Sequence, residues 1–258
     1  IKLELGNRFN KNIKGAIPNT LKELIFGYKF NKDIKNAIPN SVTHLTFGDK
    51  FNKEIKGSLP KFLTHLTFGE KFNQEIKNEI PSTVIYLIFG DEFNQEIKGA
   101  IPKNVLHLVF GIDFSKNLSD SILDNIFNLS FYPKLHTEYN IPKKVTHLTL
   151  TLFSNSNINI PESVTHLSLN LHDHYSENIT NLIPISVTHL EFNSFCSDFR
   201  GVIPNNVTYL TCKFFYRGLK NLKSIIPNSV THLKLEGYRY NIKGMISNSV
   251  THLSLSGA

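Results

Sequence analysis

The sequence predicts a mainly β, right-handed solenoid that carries one long parallel sheet, with about 13 units of 19–23 residues and little helix. Three observations predict it. A leucine recurs as Leu3, Leu24, Leu45, Leu66, Leu87, Leu108, Leu129, Leu148, Leu167, Leu190, Leu210, Leu233 and Leu253, spaced six times by 21 residues and then by 19, 19, 23, 20, 23 and 20. Around each leucine, apolar and polar residues alternate, as in a half-buried strand. One strand in a 21-residue period leaves too little chain for a full crossover helix, so the return path is extended or turn-like.

The elements follow in order along "FNKEIKGSLPKFLTHLTFG", residues 51–69. The apolar positions are Phe51, Ile55, Leu59, Leu63, Leu66 and Phe68. Pro60 cannot donate a backbone hydrogen bond, which places it just before the strand. Leu66 and Phe68 then face one way, and His65, Thr67 and Gly69 the other. Gly69 and the acidic-Lys-Phe-Asn segment after it read as a turn. A single unit cannot bury its apolar face alone, so stability requires stacking, with successive strands paired and a right-handed crossover. Stacking predicts a core column of Phe9, Phe30, Phe51, Phe72, Phe93 and Phe114. The asparagine after each of the first five is expected to form a ladder that caps backbone groups of the next turn.

Thirteen units account for residues 1–258 as one repeat domain, regular over 1–111 and divergent over 112–258. The opening "IKLELG" already reads as the end of a strand, which predicts a piece of a longer chain. No apolar run approaches the roughly eighteen residues that span a membrane, so no membrane partner is expected. The only cysteines, Cys196 and Cys212, are too few for a disulfide framework and fit a reducing compartment. Residues 1–199 hold twenty Lys/Arg and twenty Asp/Glu, so the whole +7 excess falls between Arg200 and Lys243.

"FNKEIKGSLP…LTHLTFG" and "FNQEIKGAIPKNVLHLVFG" resemble FNIP repeats, whose pattern is Phe-Asn-x-x-Ile, then Ile-Pro, then Val-x-x-Leu-x-Phe-Gly. Val42-x-x-Leu45-x-Phe47 also fits the leucine-rich-repeat strand, so the resemblance implies a leucine-rich-repeat-like solenoid. The match weakens beyond residue 112: the Phe-Asn dipeptide is lost, and Leu123 and Ser247 stand where Pro is expected. FNIP arrays occur in amoebae and in large DNA viruses that infect them, often behind an N-terminal F-box. The resemblance therefore implies a non-enzymatic protein–protein interaction scaffold, acting as the substrate-recognition arm of an F-box type ubiquitin ligase. Its partners would be an unidentified protein and, through an F-box preceding Ile1, cullin–RING machinery in the cytoplasm, that of the host cell for a viral protein.

His44, His65, His107, His147, His166, His189, His232 and His252 all precede the core leucine, and alternation turns them outward. Glu23, Tyr86, Asn128 and Tyr209 occupy the same column elsewhere. A residue that recurs in nearly every coil marks a structural ladder on the concave face, not one unique active site. Two sharper readings stand beside it. Consecutive His147, His166 and His189, with the "HDH" of residues 172–174, offer metal-ligating side chains, but no Cys or carboxylate completes a recognisable set, and no cofactor or metal is expected. A stacked row of imidazoles would also repel itself once protonated.

No nucleophile elbow, glycine-rich phosphate loop or Cys/His pairing is present, so no enzyme is predicted and no catalytic residue is assigned. Cys212 matches the inward position of Phe47. The protein-binding candidates break a regular outward column. Tyr86, Ile88 and Val109 put aromatic and apolar side chains together where Thr46 and Thr67 set the pattern, and Ile85, Leu106 and Phe127 interrupt the threonines two residues before the core leucine. The alternative is a binder of nucleic acid or an acidic ligand. It would use Arg200, Lys213, Arg217, Lys220, Lys223, Lys234, Arg239 and Lys243, with Tyr216, Tyr238 and Tyr240 interleaved. Without a nucleic-acid-binding motif, an acidic protein surface is favoured over nucleic acid there.

Overall fold

A computed structural model describes residues 1–116, 118, 125–133, 139–152, 158–171, 179, 181–194, 201–214, 222, 225–238 and 241–256. It forms two compact units, residues 1–132 and 133–258. The first carries β1 (Lys2–Glu4), β2 (Glu23–Ile25), β3 (His44–Thr46), β4 (His65–Thr67), β5 (Tyr86–Ile88), β6 (His107–Val109) and β7 (Asn128–Phe131). The second carries β9 (His147–Leu152), β11 (His166–Leu171), β12 (His189–Ser194), β13 (Tyr209–Phe214), β14 (His232–Glu236) and β15 (His252–Ser256). These thirteen strands, one per repeat, are parallel and follow chain order within each unit, and no α-helix occurs among the described residues. The register aligns the recurring leucines, Leu45 with Leu66 and Leu167 with Leu190.

Each regular coil closes through three tight turns. Phe51 N–H donates to the Gly48 carbonyl at 3.1 Å, Ser58 N–H to Ile55 at 2.9 Å, and Leu63 N–H to Pro60 at 3.3 Å. The proline turn recurs from Pro18 to Pro227, because a residue without an N–H fits where only its carbonyl is used. Ser247 keeps it, accepting from Val250 at 3.1 Å. The Ile turn needs a positive φ at its third residue, 60° at Gly57, and Asn78 supplies 64° in the next coil.

Between β4 and the next turn, Gly69 packs against the coil below. A Cβ there would overlap the Gly48 carbonyl oxygen, and Gly27, Gly48, Gly90 and Gly111 face the same backbone approach. This glycine turn ends β1 to β6 after three residues, whereas β7, followed by Tyr132 and Pro133, runs for four. The second unit has no equivalent glycine, and β9, β11, β12 and β13 run for six residues. It also adds a pair absent from the sequence-based expectation: β8 (Tyr139–Asn140) lies parallel to β10 (Ile158–Asn159) in a separate two-stranded sheet.

The core of the first unit is aromatic. Phe30, Phe51, Phe72, Phe93 and Phe114 are fully buried. Phe51 stacks at 6.1 Å on Phe30 and Phe72, and at 4.0 Å on Phe47, the residue that follows β3. The asparagine ladder runs alongside. Oδ1 of Asn10, Asn31, Asn52 and Asn73 each accepts from the backbone N–H of the asparagine one coil on, at 3.0 Å, and Asn94 caps Ser115.

Candidate functional site

Three columns of side chains form the outward face of the sheet, and strand register decides what stands beside what. The first is aromatic. In the first unit His44, His65, Tyr86 and His107 stack face to face with ring centres 4.0–4.3 Å apart, and Phe127 meets His107 edge-on at 6.2 Å. In the second unit His147, His166, His189, Tyr209, His232 and His252 stack at 4.1–4.2 Å. This spacing is shorter than the strand repeat of about 4.8 Å, so the rings lean into contact.

A threonine precedes every stacked histidine except His107, which follows Leu106, and that threonine holds the ring. Thr165 Oγ1 lies 2.9 Å from His166 Nδ1 and 3.4 Å from the Thr146 carbonyl oxygen of the previous coil. The same pair of contacts occurs at Thr43, Thr64, Thr188, Thr231 and Thr251. The Thr146 carbonyl also accepts from Thr165 N–H and His166 N–H, both at 3.0 Å, and the hydroxyl lies closer to Nδ1, so the threonine orients the ring. Parallel stacking sets the imidazoles side by side. Among the described residues no group of three or more His, Cys, Asp or Glu is placed to hold a metal ion, and residues 172–174 lie outside the described residues.

Burial pushes the imidazoles of His65, His166 and His189 below their ordinary range, and the neighbouring histidines add to the effect. His166 is lowered to about 4, by burial first and then by His189 and His147.

The second column contains Ile25, Thr46, Thr67, Ile88, Val109 and Ser130. Ile88 lies next to Val109 and Tyr86 next to His107, so the apolar break in this column adjoins the aromatic one. Tyr86, Ile88, Leu106 and Phe127 are exposed, at 38%, 37%, 41% and 42%, while Ile85 and Val109 are half-buried. Leu106 N–H donates to Ile85 and Phe127 N–H to Leu106, both at 2.9 Å, which sets these three residues in consecutive coils.

The basic candidates fare differently. Lys213 contacts Glu191 at 2.7 Å and Glu236 at 4.0 Å, and Lys234 contacts Glu236 at 2.5 Å. Glu191 escapes a count confined to residues 200–243, yet β12 carries it beside β13. Lys243 is exposed; Arg200, Arg217, Lys220, Lys223 and Arg239, with Tyr216 and Tyr240, lie outside the described residues, as does Cys196. Tyr238 is half-buried, its hydroxyl 3.7 Å from Met245 Sδ. Cys212 is buried, and desolvation pushes its thiol up to about 12.

A further row, not singled out from the sequence, lies at the turn where the first unit's strands end. Lys29 N–H donates to Asn7 at 2.9 Å, Lys50 to Tyr28 at 3.0 Å, Lys71 to Asp49 at 2.8 Å, Glu92 to Glu70 at 2.9 Å and Asp113 to Asp91 at 2.8 Å. Two parallel files of turn residues result, and their signal in the sequence is the pair that follows each Gly of "FG".

The FNIP repeat family matches residues 1–29, 30–71, 72–113, 154–195, 175–212 and 220–258. The crystal structure of CroV588, described as a novel circular LRR protein structure, is similar to the chain with a TM-score of 0.69 and 32% identity. The similarity covers 98% of this chain and 43% of that one, so the chain spans less than half the length of CroV588. None of the curated proteins compared with the chain matches it. No helix among the described residues is long and apolar enough to cross a membrane.

Proposed function

We propose that this chain, which belongs to the FNIP repeat family, is a non-enzymatic scaffold that captures a protein on the outward sheet face of its first unit. One observation carries the reading. Tyr86, Ile88 and Val109 lie in adjoining register positions on β5 and β6, where β3 and β4 carry histidine and threonine. Exposed aromatic and aliphatic side chains on a rigid sheet have the composition of an interface hot spot. The basic alternative has less support, since Lys213 and Lys234 are already held by Glu191 and Glu236.

The test is affinity purification with the full chain and with the triple variant Tyr86→Ala, Ile88→Lys, Val109→Lys, after thermal melts show that both are folded. Proteins retained by the wild type and lost by the variant are the expected result; identical recovery by both overturns the reading. The family resemblance further supports a role as the substrate-recognition arm of an F-box type ubiquitin ligase working in the cytoplasm. Co-purification of a cullin with the full-length protein tests that role, and its absence would remove it.

A further inference from the structure

The rim of the first unit changes sign along the chain. Beginning at β1, its turns carry Arg8, then Lys29, then the balanced pairs Asp49/Lys50 and Glu70/Lys71. After β5 they carry Asp91 and Glu92 together, and after β6 Asp113. Lys71 contacts Glu92 and, at 2.8 Å, Glu70, so this cation already serves two carboxylates on its own rim. Asp91 and Asp113 are exposed, and Asp91 Oδ1 accepts from Ile112 N–H at 3.4 Å. The excess of negative charge therefore begins in the same coils where the outward column turns from Thr46 and Thr67 to Ile88 and Val109. Two columns that are separate in sequence depart from the repeat pattern together.

Resting on the docking surface proposed above, we infer that its occupant is an extended protein segment with an aliphatic or aromatic anchor followed closely by lysine or arginine. The anchor packs on Tyr86, Ile88 and Val109, and the cation reaches the Asp91/Glu92/Asp113 rim. Three residues lead from Ile88 through the glycine turn to Asp91, which keeps the two within at most about 10 Å. Extended chain covers that distance in two or three residues, which sets the spacing between anchor and cation. Complementary charge at the rim raises the association rate and fixes register, while the apolar centre provides the affinity. A polyanion or an acidic segment meets like charge at this rim.

The test is selection of a random dodecapeptide library displayed on phage against the full chain, followed by fluorescence anisotropy on the enriched peptides. Enriched sequences are expected to pair an apolar residue with Lys or Arg two or three positions away. Their binding should weaken about tenfold in Asp91→Asn/Glu92→Gln/Asp113→Asn and be lost in Ile88→Lys/Val109→Lys, with an affinity that falls as salt rises. Apolar peptides without cations that bind the rim variant normally and lose the Ile88→Lys/Val109→Lys variant overturn this inference alone. An acidic consensus overturns it as well. Peptides indifferent to Ile88→Lys/Val109→Lys, or no enrichment at all, overturn both this inference and the docking surface beneath it. Self-association of the chain that Ile88→Lys abolishes would make a second copy the occupant and overturn the peptide assignment.

Discussion

His166 lies face to face with His189, ring centres 4.1 Å apart and planes 16° from parallel, and Nδ1 of each sits 2.9 Å from Oγ1 of the threonine before it. The threonine hydroxyl orients the ring, and the parallel sheet brings its neighbour within stacking distance. Stability follows from keeping these rings neutral, because a second ring proton would set a positive charge against the next imidazole.

This arrangement has a pH signature. An unfolded imidazole titrates near about 6.5, whereas that of His166 is lowered to about 4 in the fold. Between those values the unfolded chain binds the proton and the folded chain does not. Stability is therefore complete above pH 6.5 and is lost as the pH falls toward 4. The ring is partly open to solvent, and screening reduces its contribution to about 1 kcal/mol, or roughly 2–4 °C in Tm. Thermal melts at pH 7.5 and 5.0 should show the drop, and His166→Gln should reduce it, with His65 and His189 keeping the remainder. Identical melting of wild type at both pH values would sink the idea.

Gly69 and Gly6 make a matched pair for substitution. A Cβ on Gly69 would overlap the Gly48 carbonyl, and backbone cannot swing aside as a side chain can; a Cβ on Gly6 meets nothing within 4 Å. Gly69→Ala should cost about 3 kcal/mol or prevent folding, whereas Gly6→Ala should stay within about 0.5 kcal/mol. Equal denaturation midpoints in urea would show that the coils are not in backbone contact at this position.

The asparagine ladder is exposed to mutation one rung at a time. Asn52 Oδ1 accepts from Asn73 N–H at 3.0 Å and from Gln74 Nε2 at 2.7 Å. Asn52→Ala should cost about 1 kcal/mol, and Asn52→Asp, which keeps an acceptor oxygen in place, should cost less. Denaturant titration of the two variants checks the order; the reverse order would argue that Asn52 acts through its amide N–H groups.

Cys212 is enclosed, and desolvation raises its thiol to about 12. In a Cys196→Ser background, Ellman's reagent should label the native chain slowly and the guanidinium-unfolded chain at once. Rapid native labelling would place Cys212 at the surface.

Much of the fold was legible because each coil repeats one local pattern. Pro60 before the strand, Leu66 and Phe68 pointing inward, and the core column from Phe30 to Phe114 all follow from turn chemistry and alternation and all occupy those places, while Phe9 at the start of that column is only half-buried. Leu59, which looks equivalent to the other apolar positions, is only half-buried. The strand lengths were less legible: the glycine turn that halts β4 is plain in the sequence, but its loss after residue 112 does not state how far β9 or β11 will extend. The β8–β10 pair falls where the Phe-Asn motif is gone, so no repeat position announced it. Of the candidate surface, Tyr86, Ile88 and Val109 could be named from broken columns, whereas the acidic rim beside them could not. Asp91 and Asp113 are 22 residues apart in the chain, and only the backbone hydrogen bond from Asp113 N–H to the Asp91 carbonyl shows that they are neighbours.

The sequence by itself determined the coil: its period, its inward and outward residues, the proline and glycine turns, and therefore a parallel stack of strands. These are local properties, set by which residues lack an N–H, tolerate a positive φ or alternate in polarity. The tertiary structure decided what one coil does to the next. It set each threonine hydroxyl between its own histidine ring and a carbonyl of the previous coil, lowered the imidazole of His166 by burying it between its neighbours, and answered Lys213 with Glu191 from the strand beside it. Such relations depend on register between residues roughly 20 apart, and register exists only once the coils have stacked.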